Sequence, residues 1–82
     1  MTQIHSVEID SKAGSAYVYF EPPMAGASVR QVNIGDSIVF DLGVDGRLIG
    51  IEILDSQLAK QFCGSEATKA LEASRIPVRQ IA

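Results

Sequence analysis

Asp45-Gly46 separates two aliphatic runs, Ser37–Val44 and Arg47–Leu54, in which apolar and other residues alternate. Asp-Gly suits a two-residue type I′ turn, whose twist matches the twist of the strands it joins. That turn pairs residues whose numbers sum to 91. Ile38 then meets Ile53, Phe40 meets Ile51 and Leu42 meets Ile49 on one face, while Val39 meets Glu52 and Asp41 meets Gly50 on the other. Each all-apolar cross-strand pair adds a few tenths to about 1 kcal/mol. A slip of one residue would turn the whole apolar set to the opposite face, so the pattern fixes the register.

A second hairpin precedes it. His5–Ile9 alternates, Ala16–Phe20 is rich in aromatic and β-branched residues, and Ser11-Lys12-Ala13-Gly14 offers a turn between them. Pairing residues that sum to 25 sets His5 opposite Phe20, Val7 opposite Val18 and Ile9 opposite Ala16. Glu8 then meets Tyr17, and Ser6 meets Tyr19, on the reverse. Pro22-Pro23 breaks the pattern, because proline donates no ladder hydrogen bond. A shorter strand over Val29–Ile34 follows, and Gly35-Asp36 turns the chain into the 37–42 strand.

The chemistry changes at Asp55. Asp55 or Ser56 can cap a helix that carries Leu58 and Phe62 as its apolar stripe and stops at Gly64. Ser65 is an N-cap candidate for a second helix, which has Glu66 in its first turn and is stopped by Pro77 near Arg75. The tail Val78–Ala82 is free to dock as an extended segment. The expected fold is therefore α+β: a curled antiparallel β-meander of four or five strands with one or two C-terminal helices packed on one face. The chain reads as a single domain over residues 1–82, with the β-meander at 5–54, a helical segment at 55–76 and a tail at 77–82.

Composition narrows the chemistry. The 82 residues carry seven basic and ten acidic side chains, a net charge of −3 that argues against a general nucleic-acid surface. No stretch approaches the roughly 18 apolar residues of a membrane helix, and the first residues lack the basic start and apolar run of a secretion signal. A cytoplasmic protein is expected. One Cys and one His exclude an intrachain disulfide and leave no zinc-like spacing. No metal and no cofactor is expected.

Three stretches resemble a known family. Ser15-Ala16-Tyr17-Val18-Tyr19, Ile38-Val39-Phe40-Asp41 and the run Asp45-Gly46-Arg47-Leu48-Ile49-Gly50-Ile51-Glu52-Ile53-Leu54 are similar to domain-of-unknown-function family 2283 over roughly residues 5–56. Ser15 stands where that family commonly has an acid. The resemblance implies a small sheet with a flanking helix and no established activity. It also implies an antitoxin or partner-binding role, because some members occur beside genes for small toxin-like proteins.

Each candidate residue has a structural role as the alternative to a functional one. Asp41 and Glu52 share the reverse face of the hairpin and are the carboxylates a small metal-assisted hydrolase would use. The structural reading has them solvated or paired with Arg30 or Arg47. No His, Lys or Ser accompanies them in a catalytic arrangement, so no catalytic residue is assigned. His5 is read as structural and Cys63 as a small buried hydrophobe. Residues 57–75 resemble a helix-turn-helix, the basis of an antitoxin-like regulator contacting DNA. Glu66 and Glu72 offset Lys69 and Arg75, however, so an ordinary helical pair is favoured. Tyr17, Tyr19, Val39, Leu48 and Glu52 fall on the face away from the helices and form the expected partner-binding set. The sequence thus points to a non-catalytic interaction domain, a homodimer or the binder of a small protein partner.

Overall fold

The computed structural model describes residues 3–81, without the side chains of Phe62, Cys63 and Ser65. Six strands and two helices follow in the order β1 (Ser6–Asp10), β2 (Ser15–Tyr19), β3 (Arg30–Ile34), β4 (Ile38–Leu42), β5 (Leu48–Ile53), α1 (Ser56–Cys63), α2 (Ser65–Ala73) and β6 (Val78–Gln80). They build one sheet in the order β3-β4-β5-β2-β1-β6. The α+β class is as expected. The sheet gains a sixth strand because the tail adds β6 parallel to β1, with Val78 opposite Val7 and Arg79 opposite Glu8. The sheet is therefore mixed, and it is not a simple meander, since β2 pairs with β5 rather than with β3.

The β1–β2 register is the one read from the alternation, from Ser6 opposite Tyr19 to Asp10 opposite Ser15. In the β4–β5 hairpin Ile38–Ile53, Val39–Glu52, Phe40–Ile51 and Asp41–Gly50 pair as expected. The turn does not. Gly43 N–H donates to the Arg47 carbonyl at 2.8 Å and Gly46 N–H to the Gly43 carbonyl at 2.9 Å, with Gly46 at φ +82°. Val44-Asp45-Gly46 is thus a three-residue loop, a tight turn followed by a left-handed glycine, and not a two-residue type I′ turn. The extra residue shifts the count by one. Leu42 consequently pairs with Leu48 rather than Ile49, and a bulge at Ile49 restores the register before Gly50.

Side-chain alternation sends Val7, Ile9, Ala16, Val18, Ile51 and Ile53 to one face, where they meet the helices. Val7, Ile9, Ala16, Val18, Ile53 and Ala59 are buried there, with Ile4, Phe20, Leu71, Ile76 and Val78 packed around them. Asp55 caps α1: its Oδ1 accepts from the Gln57 N–H at 2.8 Å and the Leu58 N–H at 3.1 Å. α1 turns Ala59, not Leu58, to the core, for Leu58 remains 38% exposed. The other half of that expected stripe, Phe62, lies outside the described side chains. Gly64 both ends α1 and caps α2, so Ser65 is the first helical residue rather than the cap.

The connection from β5 to β6 has to cross β2 and β1, and the helices are that connection. α1 accordingly lies over β1 and β2, and α2 reaches β6. The part of the same face built by β4 and β3 lies outside the crossover.

Candidate functional site

Two surfaces of the sheet carry the chemistry, one on each face. On the face away from the helices, the strand registers lay out a row running Arg79, Glu8, Tyr17, Glu52, Val39, Asn33 across all six strands. A second row runs Ser6, Tyr19, Gly50, Asp41, Gln31. Gly50 is the gap in this pattern. The Tyr17 ring lies over it, reaching diagonally from β2 across β5 so that its hydroxyl donates to Asp41 Oδ2 on β4. A Cβ at position 50 would collide with that ring.

Asp41 is only 4% exposed, the one buried charged residue among those described. It is held by neutral donors: the Tyr17 hydroxyl at Oδ2, with Gln31 Nε2 at 2.9 Å and Ser28 Oγ at 3.3 Å from Oδ1. It is neither solvated nor paired with an arginine, which corrects both expectations for it. Arg47 is engaged elsewhere: it grips Glu21 with Nε at 2.7 Å and Nη2 at 2.9 Å, and its Nη1 meets Asp45 at 2.8 Å. That clamp ties the hairpin tip to the segment after β2. It holds the Glu21 and Asp45 carboxyls below their ordinary pKa and raises the guanidinium's own.

Tyr19 donates to Glu8 Oε1 at 2.8 Å, and Arg79 approaches the other Glu8 oxygen at 3.4 Å. The two tyrosine rings lie 4.4 Å apart, tilted by 40°. Burial, then the hydrogen bond to a carboxylate, raises both phenol pKa values, Tyr19 to about 12 and Tyr17 higher still. Beside them runs an open groove of about 390 Å³, walled by Tyr17, Tyr19, Pro22, Pro23, Met24 and Ile49. Glu52 is partly buried beside Tyr17 and meets no cation among the described residues. His5 is exposed, its Nδ1 3.0 Å from Ser6 Oγ, and Cys63 falls outside the described side chains. No group of three or more His, Cys, Asp or Glu among the described residues is placed to hold a metal ion.

Of the residues expected to contact a partner, Tyr17, Tyr19, Val39 and Glu52 do share this face. Leu48 does not. The bulge pairs it with Leu42 on the opposite face and turns Ile49 toward the tyrosines in its place. A two-residue turn at Asp45-Gly46 would set Leu48 on the tyrosine face; the three-residue loop sets Ile49 there instead.

The second surface lies on the core face, beyond the helices. One apolar row crosses the entire sheet there: Val78, Val7, Val18, Ile51, Phe40, Val32. The next runs Ile9, Ala16, Ile53, Ile38, Ile34. The helices bury the part built on β1, β2 and the near side of β5. Ile38, Phe40 and Leu42 of β4, with Val32 and Leu48, are only partly buried, and Ile34 is 48% exposed. The helices pack on this face, as expected, and cover about half of it.

The family described as "Protein of unknown function (DUF2283)" matches residues 6–56. The chain belongs to this family. The DUF2283 match spans β1 through β5 and ends at the first residue of α1, so both surfaces lie within it apart from the β6 residues Val78 and Arg79. No curated protein and no solved structure matches the chain. No helix among the described residues is long and apolar enough to cross a membrane.

Proposed function

We propose that this member of the DUF2283 family is a non-catalytic, cytoplasmic protein-interaction domain, self-associating or binding a small protein partner. The observation that supports the reading is the continuation of the apolar rows past the helices. Val32, Ile34, Ile38, Phe40, Leu42 and Leu48 stand on the part of the core face over which neither described helix lies. Contiguous apolar surface left partly open to solvent, as here with Ile34 exposed at its edge, marks interaction sites in monomeric folds. The tyrosine face, by contrast, turns its hydroxyls onto the chain's own carboxylates.

An apolar fluorescent dye tests the reading. Protein diluted until the chain is monomeric should bind the dye, and Ile34→Lys combined with Phe40→Lys should remove most of the signal while circular dichroism is unchanged. A folded monomer that binds no dye would contradict the reading.

A further inference from the structure

The uncovered half-face is bounded on one side by a step. Beyond β5 the helix pair rises from the sheet by about one helix diameter, about 10–12 Å with side chains. Two packed sheets are separated by about 10 Å. The step is therefore as high as one further sheet. The object that fits it is a sheet layer resting on β3–β5 and abutting the helices at its side.

Area limits what that layer can be. Three strands about 4.8 Å apart and five residues about 3.4 Å each give a footprint of about 14 by 17 Å, roughly 240 Å². A stable interface buries about 800 Å² on each partner. The half-face alone falls well short, so its occupant must also engage neighbouring surface. A second copy does so by symmetry. Rotation about a two-fold axis running along the strands, above β4, lays one bare half-face on the other. The same rotation carries each copy's helix pair to the level of the other's sheet, alongside β3. β3 is an edge strand whose outward N–H and C=O groups have no strand partner among the described residues. The surface is thus self-complementary in the isologous sense: a bare face meets a bare face, and a helical flank meets an open edge.

We propose that the half-face over β3, β4 and β5 is a homodimer interface, in which two sheets pack face to face and each helix pair lies beside the partner's β3. This rests on the interaction-domain reading above and names its partner. Phe40, on the middle strand of the bare half, lies nearest the axis and meets its counterpart in the second copy.

Sedimentation equilibrium on the full chain tests it, with three variants checked for folding by circular dichroism. The wild type should sediment as a dimer, twice the chain's 8.8 kDa. Phe40→Lys, and independently the edge variant Ile34→Lys, should weaken dimerisation by about 30-fold or more, because each sets an unpaired ammonium into an apolar contact. Val44→Lys, at the 86% exposed hairpin tip, should leave it unchanged. A dimer that survives both Phe40→Lys and Ile34→Lys would overturn the proposal by placing the contact elsewhere. A wild-type monomer would overturn it too. In that case dye binding lost in the same two variants would keep the interaction reading alive, and dye binding absent from the wild type would end both.

Discussion

Gly50 and Tyr17 show how one missing side chain organises a surface. A glycine inside a strand sacrifices packing and backbone entropy, and here the vacant position lets the Tyr17 ring cross β5 to Asp41. Gly50→Ala should therefore push the ring aside and leave Asp41 Oδ2 without its Tyr17 donor. The expected loss is about 2–4 kcal/mol, combining overpacking with an unsatisfied buried carboxylate. A urea midpoint within error of the wild type would show that the ring does not need the gap. The tyrosines also set an alkaline limit. A phenol whose folded pKa lies above its unfolded value near 10 contributes stability that is fully present below about pH 10 and is lost as the pH climbs through the folded value, about 12 for Tyr19. Urea midpoints should fall across that window for the wild type and fall less for Tyr17→Phe/Tyr19→Phe, with tyrosinate absorbance following the same rise. Equal slopes for the two proteins would contradict this. Asp41 itself was legible as a member of the reverse face but not as a buried group. Its donors Ser28 and Gln31 come from the segment and strand after the Pro22-Pro23 break, where alternation gives no register.

At the level of elements, alternation alone fixed the β1–β2 pairing and most of β4–β5, because a half-buried strand pays heavily for a one-residue slip. The hairpin tip escaped it. Asp-Gly serves both a two-residue turn and the end of a three-residue loop, and the choice decides whether Leu48 or Ile49 faces the tyrosines. β6 was legible only as an extended tail, since three residues carry too little pattern to choose a neighbour. The end of α2 shows a different conflict. Arg75 sits at φ +62° while the Ile76 N–H closes on the Leu71 carbonyl and the Arg75 N–H on that of Glu72, both at 2.9 Å. This is the Schellman pattern, with an arginine where glycine is free of strain. Arg75→Gly should stabilise the fold by about 1 kcal/mol. In a domain of this size that raises Tm by about 4–8 °C. A lower Tm in thermal unfolding would mean that the arginine side chain supplies more than its backbone strain costs.

Over the whole molecule, topology explains what composition could not. Residue types show that one sheet face is apolar, but they do not show which strands a helical connection will cross. That depends on β5 and β6 ending up on opposite sides of the β1–β2 hairpin. The crossover buries half of the apolar face and leaves the other half, with Phe40 at its centre, uncovered by the helices. If a second copy covers it, folding and association are linked, and stability must depend on how much chain is present. The most direct measurement is the urea midpoint followed over a hundredfold range of protein concentration. For a chain that dimerises through this face the midpoint rises with concentration in the wild type and stays constant in Ile34→Lys; a wild-type midpoint that does not move over the whole range, with the chain sedimenting as a monomer throughout, rules the dimer out.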